Sequence, residues 1–314
     1  MMNVKKNCLW GIAASIALLS SCADIENEIK PTIQSEASAS GSASVSKDDE
    51  LTSLPADTGG EHIAKPKGST SAEFGYYVYL PGGYKNTTKH YPLVIFLHGK
   101  SERGNGTTEL SRVLNTGIPN LIKNNKWKGK SWAPMIVVSP QYHSLDGKGN
   151  ENNWAEGNPE QIRKFIEHVI KTYRVNPSRV YITGLSHGGN GVYDYLILQP
   201  EATSLIAAAA PIAAYGPNKN HANAKNTPIW VFCGGNDGSI AKKYGNVYTS
   251  MNFVSNYNKQ KPKQKAKFTV FTGVGHNAWM MTYDLSGMKA PTDPNYTPYS
   301  QKLFSWMLQQ KRTF

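Results

Sequence analysis

Gly184-Leu185-Ser186-His187-Gly188 sets a serine between two glycines in the pattern G-x-S-x-G. A serine hydroxyl is a weak nucleophile until a histidine takes its proton, and that histidine must itself be oriented by an acid. The motif therefore makes three demands on the rest of the chain: a base, an acid, and backbone N–H donors for the negative oxygen that forms when an acyl carbonyl is attacked. Losing one such donor typically costs about 3–4 kcal/mol of transition-state stabilisation.

Groups of this kind need a rigid frame. From Phe74 onward the sequence alternates between two patterns. Short apolar runs predict strands at 74–80, 93–98, 135–139, 179–183, 205–212, 229–233 and 268–272. Several are continuous, which suits strands covered on both faces. Between them lie helical patterns. In 159–173, Ile162, Phe165, Ile166, Val169, Ile170 and Tyr173 recur at helical spacing, with Asn158 as N-cap, Pro159 at the first position and Gln161 placed for a capping box. A last helix is predicted from Pro298 to about Lys311, capped by Thr297. Strands alternating with helices predict an α/β fold, one mostly parallel sheet flanked by helices on both faces. Ser186 falls between the strand ending near Thr183 and a helix carrying Val192, Tyr195 and Leu196. That is the setting of a nucleophile elbow, where flanking glycines let strand and helix approach closely.

In the α/β-hydrolase plan, which this elbow resembles, the partners follow the serine on loops after later strands, acid before histidine. Three histidines come after Ser186. His187 is its neighbour and His221 lies in the polar stretch NKNHANAKN, whereas His276 follows the strand 268–272, where a base belongs. Between Ser186 and His276 the carboxylates are Asp194, Glu201 and Asp237. Asp194 sits two turns into the helix behind the elbow and Glu201 follows its terminating proline. Asp237 alone stands at the C-terminal end of a strand, in CGGNDGS. The expected N–H donors are His187, the residue after the nucleophile, and Lys100, in the loop HGKSERGNG at 98–106.

The stretches VIFLHGKSERG, RVYITGLSHGGNGVYDYLILQPE, GGNDGS and GHNAW together resemble serine esterases of the α/β-hydrolase superfamily related to feruloyl and acetyl-xylan esterases and polyhydroxyalkanoate depolymerases. The resemblance covers roughly residues 74–312. It implies Ser186, Asp237 and His276 as the triad, with Glu102 and Arg103 holding the oxyanion loop in shape. Two positions depart from the family pattern: Cys233 stands where the loop before the acid usually opens with histidine, and His187 where methionine is frequent. The implied reaction is two-step acyl transfer, with no metal or cofactor. The chain has no H-E-x-x-H, and loop structure accounts for His98 and His143 more simply than ligation does. Tyr142, Trp154 and Trp279 are the expected substrate-binding aromatics, and the insertion 281–298 is long enough to cap a cleft.

The N-terminus reads differently. Lys5 and Lys6 precede a mostly apolar stretch from Cys8 to Leu19, too short to span a bilayer and suited to a secretory signal. LLSSC at 18–22 resembles a bacterial lipobox, which implies lipidation of Cys22 and export to the cell envelope. Cys8 would leave with the signal, so Cys233 stands alone and no disulfide framework can form in the mature domain. Residues 23–70 are poor in apolar side chains and include SEASASGSASVS, the composition of a flexible tether with a reach of about 35–40 Å. The expected layout is a signal over 1–21, a tether over 22–70 and a catalytic domain over 71–314. The net charge is +12, and residues 71–314 carry 28 Lys and Arg against 13 Asp and Glu. That balance favours acidic polymers or anionic membranes. The lysines are scattered and no nucleic-acid-binding module is visible, so no nucleic-acid partner is expected. The expected partners are a polysaccharide-linked or small ester as substrate and a membrane through the lipid anchor. Two other readings fit the same residues: a polyester depolymerase or peptidase on this scaffold, and a surface glycan-binding protein with an inactive hydrolase fold.

Overall fold

The computed structural model describes residues 51–312 apart from 129–131, 133, 144–153, 155–158, 200, 201, 220 and 239–244. The expected signal, Cys22, the tether up to residue 50 and the Asn158 cap lie outside the described residues. Eight strands form one sheet: β1 (Glu61–Lys65), β2 (Tyr76–Leu80), β3 (Tyr91–Leu97), β4 (Ile136–Pro140), β5 (Val175–Leu185), β6 (Ala208–Ile212), β7 (Trp230–Gly234) and β8 (Lys267–Phe271). Their spatial order is β1-β2-β4-β3-β5-β6-β7-β8. β2 runs antiparallel to both β1 and β4, and every other pair is parallel. The helices are α1 (Gly117–Lys123), α2 (Pro159–Thr172), α3 (His187–Leu198), α4 (Ala202–Leu205), α5 (Asn246–Lys259), α6 (Ala278–Tyr283) and α7 (Leu303–Gln309).

The continuous apolar runs become strands with both faces covered, because alternate side chains enter different cores. In β3, Leu93, Ile95 and Leu97 join the layer packed under α2, α3 and α5, while Val94 and Phe96 join the layer under α1, α6 and α7. In α2 the helical spacing buries Ile162, Phe165, Ile166 and Val169 and leaves Arg163 on the outer side, paired with Glu160 and Glu167. Burying each large apolar side chain contributes about 1.5–3 kcal/mol, so these helices are held by their inner faces.

Four expectations are corrected. The tether does not extend to residue 70: β1 pairs with β2 along its whole length, Leu54 is buried, and Asp57 accepts hydrogen bonds from the Tyr79 hydroxyl (2.9 Å) and Gly82 N–H (2.9 Å). The last helix begins at Leu303 rather than Pro298. Thr297 is occupied in edge pairing instead of capping: its N–H donates to Phe268 O, and its carbonyl accepts from Thr269 Oγ1. The strand expected at 205–212 starts at Ala208, with Leu205 closing the one-turn α4. The insertion 281–298 packs against the sheet. Tyr283 is buried beneath Phe96, and 291–297 runs antiparallel along β8 through Thr272 N–H to Pro291 O, Asp293 N–H to Val270 O and Thr297 N–H to Phe268 O.

Candidate active site

β5 delivers Ser186 to the C-terminal edge of the sheet, and α3 starts at the next residue. The turn is strained: Ser186 has φ 52° and ψ −120°, a conformation that costs a non-glycine residue about 1–3 kcal/mol. Its neighbours hold it there. Ser186 N–H donates to Ile212 O on β6 (2.9 Å), and its carbonyl accepts from Asn190 N–H in α3 (3.0 Å). The motif glycines have a direct steric reason. A Cβ on Gly184 would overlap the backbone of Gly188, and a Cβ on Gly188 would overlap the Leu97 carbonyl on β3 and lie 2.6 Å from His98 O.

The loops after β7 and β8 bring in the partners. Gly235 N–H donates to Phe271 O and Asn236 N–H to Val274 O, so the acid loop and the histidine loop are stitched together. Asp237 Oδ2 lies 2.9 Å from His276 Nδ1, and His276 Nε2 lies 2.9 Å from Ser186 Oγ. A carboxylate can only accept, so the imidazole proton sits on Nδ1 and Nε2 is left to accept the serine proton. The Asp237 side chain is 10% exposed and that of His276 47%. The carboxylate is thus shielded while the imidazole faces solvent.

The loop after β3 stands beside this trio, since a Cβ on Gly99 would be 3.7 Å from Ser186 Cβ. Lys100 opens a one-turn 3-10 helix, Lys100–Glu102, and the His187 N–H begins α3. Helix geometry points the N–H groups of a first turn out of the helix end. The buried Glu102 carboxylate accepts from the backbone N–H groups of Gly99 and Glu102, and burial raises its pKa. Arg103 Nε donates to Lys100 O (3.1 Å).

The sequence profile of the phospholipase/carboxylesterase family matches residues 84–284, a stretch that holds all of these groups. The chain belongs to this family. It is also 27% identical over 160 residues to a poly(3-hydroxyalkanoate) depolymerase C from Paucimonas lemoignei, a match covering 48% of this chain and 34% of the depolymerase. The chain therefore matches about a third of that relative's length. Among solved structures, a thermostable esterase superposes with a TM-score of 0.54 at 24% identity, covering 81% of this chain and 63% of that one. A feruloyl esterase module from Clostridium thermocellum, complexed with sinapinate, gives 0.50 at 17% identity over 76% and 89%. These likenesses identify the sheet and helices described above as the α/β-hydrolase fold.

Within this family member, two of the expected substrate-binding aromatics lie elsewhere. Trp154 and Tyr142 are 1% and 3% exposed, so neither lines an open cleft. Trp154 packs on Phe74, Tyr142 and the His98 ring, and its Nε1–H donates to His98 O (3.0 Å). Gly191 in α3 makes room for it, because a Cβ there would overlap Trp154 Cβ. Both aromatics form the floor under the loop that follows β3. Trp279 is half-buried and meets the His276 ring edge-on at 5.1 Å, beside the base. Tyr215, after β6, and Met280 are the exposed large apolar side chains at this edge.

Three further residues hold these loops in place, and two of them, Gln141 and Asn246, carry no motif signal. Gln141 reaches across the loop after β3, its Nε2 donating to Glu102 O (2.9 Å) and Glu109 O (2.8 Å) while its Oε1 accepts from Gly106 N–H (2.9 Å). Asn246, at the start of α5, donates from Nδ2 to Asp237 Oδ2 (3.0 Å), the same oxygen that faces His276. A hydrogen bond to a charged group is worth about 1.5 kcal/mol, so Asn246→Ala should lower kcat roughly tenfold with KM unchanged. Steady-state kinetics in which KM alone moved would remove Asn246 from the triad's support.

His98 is the third. Its Nδ1–H donates to Gly99 O (2.6 Å) and its Nε2 accepts from Tyr142 N–H (2.9 Å), an arrangement that only the neutral ring can make. Burial pushes its pKa down to about 4 from 6.5. The folded state then binds fewer protons than the unfolded one, so the stabilisation is full above about 6.5 and is lost as the pH falls to about 4. The difference corresponds to about 3 kcal/mol. His62 on β1 is shifted to about 4 by burial as well and acts in the same window. Urea unfolding between pH 7 and 4 should show this slope, and His98→Asn should flatten it; an unchanged slope would place the acid sensitivity elsewhere.

Proposed function

We propose that the protein is a serine carboxylic-ester hydrolase in which Ser186 is the nucleophile, His276 the general base and Asp237 the orienting acid. The observation that carries this reading is the unbroken chain of 2.9 Å contacts from Asp237 through His276 to Ser186, with the serine held on a strained turn beside the Gly99–Glu102 loop. Ser186 Oγ attacks the ester carbonyl as His276 Nε2 takes its proton. Asp237 stabilises the resulting imidazolium, and the N–H groups of Lys100 and His187 receive the oxyanion. Collapse of the tetrahedral intermediate transfers the proton from His276 to the departing alcohol, and water then repeats both steps on the acyl-enzyme.

The substrate we propose is plant polysaccharide bearing feruloyl or acetyl esters. Its support is Trp279 against the His276 ring, with Tyr215 and Met280 exposed after β6 and in α6 and able to offer apolar faces to a phenolic acyl group, together with the shared fold of the feruloyl esterase module. A second reading, polyester depolymerisation, is favoured by the sequence match to the depolymerase. Hydrolysis of p-nitrophenyl acetate, methyl ferulate, acetylated xylan and poly(3-hydroxybutyrate) film, with Ser186→Ala in parallel, separates them. Serine-dependent release of ferulate or of acetate from xylan supports the carbohydrate ester, and release from the film alone selects the polyester. No turnover of any substrate leaves a glycan-binding protein. The N-terminal anchor belongs to the same proposal. Radiolabelled palmitate should enter the wild-type chain in bacterial cells and not Cys22→Ala, and equal labelling would remove the anchor.

A further inference from the structure

The N-terminal edge of the sheet, opposite the catalytic edge, holds a cavity of about 470 Å³. Its floor includes Ile206, just before β6, and Pro228, just before β7, whereas Ser186 and Asp237 follow the other ends of their strands. One strand of five residues spans about 17 Å, so the two sites are separate. The cavity wall carries four cations, Lys225, Lys263, Lys311 and Arg312, and the amides of Asn226 and Gln264, with no carboxylate among its lining residues.

The cations come from three segments that the fold fixes independently. Lys225 ends the turn before β7, whose Lys225 and Thr227 carbonyls accept from the buried Tyr257 hydroxyl at 3.2 and 2.8 Å. Lys263 lies in the loop before β8, which is tied down by Ala266 N–H to Asn258 Oδ1 (2.8 Å). Lys311 and Arg312 follow α7, and Arg312 N–H donates to Ser178 O at the start of β5 (2.9 Å). Among the described residues, Lys225, Lys263 and Lys311 make no ion pair. The imbalance extends along the chain: from Lys225 to Lys267 there are eight lysines and one carboxylate, Asp237, which is engaged with His276. Like charges gathered around one concavity draw an anion into it, and the three lysines, exposed at its wall, are the groups it meets first.

We propose that this cavity binds a short acidic oligosaccharide through carboxylates spaced along it. A single small ion would leave most of the volume unfilled, whereas an extended ligand with several carboxylates can meet cations carried on three segments. The apolar floor at Ile206 and Pro228 suits the C–H face of a sugar ring. The biological source of the ligand rests on the polysaccharide-esterase reading above. The binding itself does not, because the cavity is remote from the triad.

The test uses the full chain carrying Ser186→Ala, so that catalysis plays no part. Isothermal titration at low salt with trigalacturonate should give saturable binding with Kd below about 1 mM, a modest affinity for a site of this kind, that weakens as NaCl is added. Xylotriose should give none. Lys263→Glu combined with Lys311→Glu should weaken the binding at least tenfold, and the same pair in the Ser186-containing chain should leave p-nitrophenyl acetate turnover unchanged, showing an intact fold. Absence of trigalacturonate binding, or equal affinity in the double variant, overturns the proposal. Binding of inorganic phosphate tighter than trigalacturonate overturns the oligosaccharide as occupant. Failure of the esterase reading would show instead as absent ester turnover in the unmutated chain with this binding intact.

Discussion

Ser186→Ala should lower kcat by roughly 10⁶-fold on whichever ester the protein turns over, since removing the nucleophile from a triad abolishes nearly all its rate enhancement. What remains would come from the oxyanion donors and binding alone. Ser186→Gly should be equally inactive but more stable than Ser186→Ala. The residue sits at φ 52°, where alanine keeps the strain of its Cβ and glycine does not. The difference should be about 1 kcal/mol, a rise in Tm of about 2 °C for a domain of this size. Paired melting curves provide the check. An alanine variant melting above the glycine variant would show that the turn is not held in the left-handed region, and the argument that strain lifts the serine into the open would go with it.

Gly188→Ala should destabilise the protein by about 4 kcal/mol and remove activity even though it touches none of the reacting groups. The added methyl would overlap the Leu97 carbonyl and crowd His98 O, both backbone atoms of the neighbouring β3 and its loop, which cannot rotate aside as a side chain can. Either α3 moves off the sheet, taking the His187 N–H with it, or β3 shifts and carries the Gly99–Glu102 loop. Gly275→Ala is the control: a Cβ there meets nothing within 4 Å and needs no unusual backbone, so its effect should stay within about 0.5 kcal/mol. Urea titrations of the two variants decide the matter, and near-equal midpoints would mean that the elbow tolerates a wider spacing than its glycines imply.

The parts of this molecule that could be read from the sequence are those written in local pattern. β3, β4 and β7 are short runs of apolar, often β-branched residues, and each became a strand buried on both faces. The G-x-S-x-G turn could be read because its glycines answer a contact between adjacent elements, and the order of the loops then left one acid and one histidine at the right ends of strands. β1 could not. Glu61, His62, Ile63, Ala64 and Lys65 form a polar edge strand with no alternation, following a stretch whose composition argues for disorder. Trp154 and Tyr142 were misjudged for another reason: whether an aromatic lines a cleft or lies beneath it depends on neighbours such as Gly191 and Phe74, far away in the chain. Asn246 and Gln141 act across nine and about 35 residues through single side-chain contacts, and a lone amide carries no spacing to reveal that.

The strap from Pro291 to Thr297 has a consequence for the behaviour of the protein in concentrated solution. A sheet that ends on a bare strand offers a row of backbone donors and acceptors to any passing chain, which is how edge-to-edge aggregates begin. Here β8 would be such a strand, largely apolar, and the chain's own backbone already takes up Phe268, Val270 and Thr272. The opposite edge, β1, is guarded differently: it is short, begins with Glu61 paired to Lys85 and ends with Lys65. Deleting or loosening 291–297 should therefore promote self-association through β8, long before the protein loses the geometry of Ser186, His276 and Asp237.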